Sequence, residues 1–245
     1  MMPRLKTGSH QALYLTFLLL SCLFGCQTEA PQDSRQNITA SPPDTIAYLA
    51  LGDSYTIGEA VAESKRWPLV LAEKLDESEE LFVEAPLIIA KTGWTTDELL
   101  EAIEKEDPPE DFDLVSLLIG VNNQYRGYDF SQYEEELPQL LDLAVQHAGK
   151  RGSRVFVLSI PDYGVTPFGQ SRDSARIARE IDQYNAFAAG ICADRDIPFF
   201  DITSISREAL GRTDYVAKDG LHPSATMYAD WVSLIQDSVR KMLLP

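Results

Sequence analysis

A serine that leaves a buried strand and opens a helix can act as a nucleophile, and residues 52–56 (G-D-S-Y-T) offer one in Ser54. The preceding residues 46–51 (I-A-Y-L-A-L) form a continuous apolar run, as a buried parallel strand requires. A hydroxyl placed there faces the carboxyl edge of the sheet, and the helix N-terminus behind it favours negative charge. The same residues also suit a plain helix cap by Asp53 or Ser54. Thr56 stands where a G-x-S-x-G nucleophile elbow would need glycine, so that motif is excluded.

A serine hydroxyl needs a base at neutral pH. The chain has three histidines. His10 falls in an N-terminal apolar leader. His147, in V-Q-H-A-G-K, sits near a helix C-terminus, where positive charge suits the dipole, and reads as a surface or capping residue. His222, in D-G-L-H-P, is left as the base. Asp219 lies three residues earlier, and Gly220 permits a tight turn between them. Such a turn sets a carboxylate against one imidazole nitrogen and leaves the other for the nucleophile. A loop leading into a helix, with an incidental histidine, fits the same residues.

The elements that must position these residues alternate along the chain. Strand-like runs are expected at 46–51, 81–90, 114–119, 155–160 and 197–202. Helices are expected at 67–75, 95–106, 131–148, 174–195 and 224–242. Thr95 with Glu98, and Ser131 with Glu134, fit capping boxes, and Pro138 suggests a kink or a late helix start. Five strands alternating with helices predict an α/β fold, a parallel sheet with helices on both faces, with strand order left open. Ligands in such sheets bind beyond the carboxyl ends of the strands.

Four separated blocks resemble those of the SGNH (GDSL) hydrolases, a family named for a Ser, a Gly, an Asn and a His. Ser54 in G-D-S-Y, Gly93 in A-K-T-G-W-T, Asn122 in I-G-V-N-N and His222 in D-G-L-H-P stand in the family's order, with Asp219 as the third member of the triad. The resemblance runs from about residue 46 to the C-terminus. It implies a three-layer αβα sandwich with a five-stranded parallel sheet, flavodoxin-like, and a serine esterase activity. It further implies an oxyanion hole made by the backbone N–H groups of Ser54 and Gly93 and the side-chain amide of Asn122. Preorganised donors of that kind stabilise the tetrahedral oxyanion of ester hydrolysis. One departure is visible: Asn123 stands where the family's G-x-N-D block has Asp, so any help in orienting the loop comes from hydrogen bonding without charge. Trp94, Tyr125, Arg126, Tyr163 and Phe168 lie in loops after strands and are candidates to shape the pocket, Arg126 by meeting a negative group. Loop packing explains each of them equally well.

Charge and the N-terminus bound the partners. With 38 acidic and 21 basic residues the net charge is −17, which argues against nucleic acid and against a basic membrane patch. Arg4 and Lys6 precede an apolar run at 12–20 that ends, a few residues on, in L-F-G-C. This resembles a bacterial lipobox, with Cys26 as the lipidated residue; Cys22 competes, and a plain secretory signal is the alternative. The expected organisation is a lipoprotein signal peptide at 1–25, a flexible tether at 26–45 and a hydrolase domain at 46–245. Localisation at the bacterial cell envelope follows, with membrane contact through the lipid anchor. Cys192 reads as a small buried residue without a disulfide partner. No metal or cofactor is expected, and the substrate is an ester on a small molecule, glycan or lipid. Two rivals stay open: a non-catalytic carbohydrate- or lipid-binding lipoprotein on the same scaffold, and a metal-dependent phosphoesterase using Asp53, Asp219 and His222.

Overall fold

The computed structural model describes residues 45–77 and 81–244. The expected leader, Cys26 and almost all of the tether lie outside them. Thr45, at the end of the expected tether, already pairs with Phe82: strand β1 (Thr45–Ile46) runs parallel to β3 (Phe82–Val83) in a separate two-stranded sheet.

The main sheet is parallel and five-stranded. It comprises β2 (Tyr48–Gly52), β4 (Leu87–Ala90), β5 (Leu114–Leu118), β6 (Val155–Leu158) and β7 (Phe199–Phe200), in the order β4-β2-β5-β6-β7. β2, β5 and β6 are buried at every position, which is why they read as unbroken apolar runs. The one polar side chain inside this layer is satisfied: Ser116 of β5 shares a 2.8 Å hydrogen bond with the Tyr48 hydroxyl.

Helices α1 (Ser54–Ile57), α2 (Trp67–Asp76), α3 (Thr96–Glu106), α4 (Val121–Arg126), α5 (Phe130–His147), α6 (Pro167–Gln170), α7 (Ser174–Asp194), α8 (Thr203–Arg207) and α9 (Ala225–Leu243) fill the connections. The crossover from β2 to β4 and the return from β4 past β2 to β5 run in opposite senses. Right-handed crossovers therefore put α2 and α3 on opposite faces. α9 packs with α2 on one face; α3, α5 and α7 pack in series on the other. The order reverses between β2 and β5, and at that switch point the connections leaving the two strands run to opposite faces of the sheet, where such folds form a crevice.

Three sequence expectations need correction. Residues 81–90 are two strands in two sheets, because Pro86 has no N–H for a ladder and the chain crosses from one sheet to the other there. The fifth strand is only Phe199–Phe200, half-buried at the sheet edge. α5 is capped by Asp129, whose carboxylate accepts from the Ser131 amide at 3.0 Å, so Ser131 is inside the helix; the helix runs on through Pro138 without a late start. The Thr95–Glu98 capping box is present. His147 is a further correction: it is buried and not a surface residue, and its Nδ1–H donates to the Pro109 carbonyl at 2.9 Å, tying a loop to the end of α5. Cys192 is buried and unpaired, its thiol pushed up to about 11 by burial.

Candidate active site

The chain reaches the switch point from several directions. β2 ends at Gly52, where a Cβ would lie 2.4 Å from the Leu118 carbonyl oxygen and 2.2 Å from Thr56 Oγ1, so only glycine lets α1 start this close to β5. Asp53 caps α1, its Oδ1 accepting from the Tyr55 amide at 3.0 Å. Its Oδ2 is buried with no partner among the described residues, and burial pushes its pKa up to about 7. Ser54 is the first residue of α1 and is only 5 % exposed. The Tyr228 hydroxyl of α9 donates to the Tyr55 carbonyl at 3.1 Å and braces the turn from beneath.

The base arrives from the other end of the chain. An antiparallel bridge pairs Val216 with Pro223, and the turn between them passes through Gly220. Asp219 Oδ1 accepts from the amides of Leu221 at 2.9 Å and His222 at 3.0 Å, and Oδ2 lies 2.6 Å from His222 Nδ1. Partial burial opposes ionisation of Asp219, but the hydrogen bonds from His222 and the two amides outweigh it and hold its pKa below the ordinary carboxylate value. An ionised Asp219 accepts from Nδ1–H, which leaves Nε2 for a nucleophile. The His222 ring also packs edge-on against Tyr55, 5.9 Å between centroids.

Gly93 and Asn122 come from the ends of β4 and β5. Gly93 adopts φ +92°, a conformation closed to most side chains. Asn122, in the first turn of α4, donates from Nδ2 to the Trp94 carbonyl at 2.9 Å, which leaves its second N–H. Neither the Ser54 nor the Gly93 amide has a hydrogen-bond acceptor among the described residues. Asn123 is buried and tied to Thr96 twice: Oδ1 accepts from the Thr96 amide at 3.1 Å and Nδ2 donates to its hydroxyl at 2.6 Å. Uncharged hydrogen bonding thus fixes the loop, as expected for asparagine in that position.

Ser54, Gly93, Asn122 and His222 line one cavity of about 290 Å³. Ser54 and His222 face it without a hydrogen bond between them. Val121, Tyr125, Tyr163, Phe168 and Leu221 form its apolar wall. Tyr125, Tyr163 and Phe168 therefore line the pocket, as sequence position suggested. Arg126 does otherwise: Nη2 donates to the Gly93 carbonyl at 2.7 Å and pairs with Glu98 at 3.1 Å, clamping the Gly93 loop to the start of α3. Sequence reasoning missed this clamp, because neither partner lies near Arg126 in the chain. Among the described residues no group of three or more His, Cys, Asp or Glu is placed to hold a metal ion.

A serine at the switch point of a parallel sheet, with an Asp-bound histidine lining the same cavity, is the arrangement of a hydrolase acting on ester bonds. The chain belongs to the GDSL-like lipase/acylhydrolase family, whose model matches residues 50–229. Solved structures share the fold at low identity. A lipase/acylhydrolase from Enterococcus faecalis is 22 % identical, with TM-score 0.57, covering 82 % of this chain and 98 % of that one. An acetylxylan esterase from Geobacillus stearothermophilus is 19 % identical, with TM-score 0.58, covering 81 % and 95 %. A psychrotrophic esterase from Pseudoalteromonas sp. is 18 % identical, with TM-score 0.56, covering 80 % and 98 %. A search of curated proteins returned no match.

Proposed function

We propose that the protein hydrolyses carboxylic esters by two successive acyl transfers through Ser54. His222 takes the serine proton through Nε2 and passes it to the leaving alcohol. Asp219 keeps the imidazole in the required tautomer and stabilises its cationic form. The oxyanion is met by the Ser54 and Gly93 amides and by the Asn122 side chain. Water then attacks the acyl-enzyme along the same proton path. The observation that carries this reading is the pair of uncommitted amides on the cavity that His222 also lines. At about 290 Å³ the cavity is at the small end for ligand sites, which favours short acyl groups. An acetylated glycan or a lysophospholipid enters the proposal through its ester end.

Replacing Ser54 by alanine should lower kcat for 4-nitrophenyl acetate by roughly 10⁴-fold or more. It should also abolish labelling by a fluorophosphonate while the circular dichroism spectrum stays unchanged. Activity retained in that variant sinks the proposal.

The proposal includes a lipid anchor at Cys26 and a place at the cell envelope, on the strength of the leader and its L-F-G-C end. Full-length protein expressed in a bacterium should partition into detergent and carry acyl chains detectable by mass spectrometry. Cys26→Ser should move it to the aqueous phase, and equal partition of the two would remove the anchor.

A further inference from the structure

The apolar wall of the catalytic cavity is backed by an arginine, Arg172, that has no carboxylate partner among the described residues. Tyr125 packs against Tyr163 and Phe168, each 6.0 Å away between centroids. The Arg172 guanidinium lies 4.5 Å from the Phe168 ring centre and 5.1 Å from that of Tyr125, and donates to the Tyr125 hydroxyl at 3.2 Å. These contacts fix the planar group in place without consuming its charge. No carboxylate lies within 4 Å of it among the described residues, whereas Arg126 pairs with Glu98 and Arg176 with Glu180.

All three arginines border a second cavity of about 240 Å³ that shares Tyr125 and Tyr163 with the catalytic one. Its two carboxylates are committed. Asp173 caps α7 through the Arg176 amide, and Glu180 takes Arg176 and Gln124. In a chain of net charge −17, whose field repels anions, a cation held beside the active site with no carboxylate within 4 Å among the described residues is a local exception. A guanidinium has five N–H donors in a fork that suits carboxylate or phosphate, and the tyrosine uses one.

We propose that Arg172 selects esters that carry an anionic group, a carboxylate or a phosphate, placed beyond the apolar wall from the reacting carbonyl. The proposal rests on the serine esterase reading above. It moves the anion-meeting role from Arg126, which is committed to Gly93 and Glu98, to a residue the motif blocks do not contain.

The test compares kcat/KM within matched pairs for the wild type, Arg172→Gln, Arg172→Lys and Arg172→Glu. 4-Nitrophenyl hemiglutarate against 4-nitrophenyl butyrate places a carboxylate on the acyl side. 2-Acetoxybenzoate against phenyl acetate places it on the leaving group. Monobutyryl glycerol 3-phosphate against monobutyryl glycerol offers a phosphate. In at least one pair the charged-to-neutral ratio should fall about fivefold in Arg172→Gln, in keeping with a single exposed ion pair. It should fall further in Arg172→Glu and least in Arg172→Lys, and added salt should narrow the wild-type preference. Ratios equal in wild type and Arg172→Gln for all three pairs overturn the proposal while leaving the esterase reading intact. No turnover of any neutral ester by the wild type overturns both.

Discussion

The two sides of the Ser54 cavity are built by different means. The base side is local: Asp219 and His222 are three residues apart, and one carboxylate receives the ring and two amides of its own turn. The side proposed to bind the oxyanion is assembled from afar. Gly93 follows β4, Asn122 follows β5, and the two are fastened by Arg126 to Gly93, by Asn123 to Thr96 and by Asn122 to Trp94. A short turn can carry an acid–base pair almost unaided, whereas an array of donors from separate strands needs ties between them. Faults on the first side should therefore act through chemistry, and faults on the second through geometry.

The largest effect is expected from breaking the local side. Asp219→Asn removes the acceptor that sets the His222 tautomer and should lower kcat by about 10³–10⁴-fold, with little change in KM. A loss below tenfold would show that the turn does not hold the base.

On the distant side, Asn122→Ala removes one proposed oxyanion donor and should lower kcat by about 10²–10³-fold. The difference between the two sides is sharpened by measuring both variants with the same ester; equal losses would erase it.

Asp53, next to the Ser54 that both sides face, gives a pH signature. Its pKa is raised to about 7 by burial, whereas unfolded Asp titrates near 3.8, so the folded chain holds a proton that the unfolded chain has lost between those values. Stability must then fall as pH rises through that window and level off above about 7. Asp53→Asn cannot ionise, so urea unfolding at pH 5 and pH 7 should show the wild type losing about 2 kcal/mol more than the variant. Parallel pH slopes would contradict a neutral, buried Asp53.

The smallest effect is expected at the ties. Arg126→Gln loosens the Gly93 loop without removing a donor and should lower kcat about tenfold or less. If it matches Asn122→Ala, Arg126 acts on the substrate and not through Gly93.

The same contrast explains what the sequence made legible. Apolar runs marked β2, β5 and β6 because both faces of each are buried, and the triad turn was visible because its members are neighbours. Asn123 was readable as a neutral substitute from its place in the resembled G-x-N-D block, but its partner, Thr96, was not, because it lies 27 residues away. Strand order was not readable, because it depends on which helix crosses which face and not on local pattern. The break at Pro86 was hidden by apolar residues on both sides of it. Arg126 was read as a candidate to meet a negative group, and Arg172 stood out in no motif; only the folded chain shows that the first is spent on Gly93 and Glu98 and that the second stacks on Phe168 and Tyr125. The choice of Asp129 over Ser131 as a cap turned on a shift of two residues, finer than periodicity resolves.

The bond from the Tyr228 hydroxyl to the Tyr55 carbonyl joins positions 173 residues apart. It sets an order of events during synthesis. A chain made N-terminus first presents its serine early, but the base and this brace belong to the final stretch, so hydrolysis must wait for the whole domain to be threaded and closed. On the proposed reading, a nascent chain that stops before Asp219 would hold Ser54 with no base, and one that stops before the C-terminal helix would lack the Tyr228 brace.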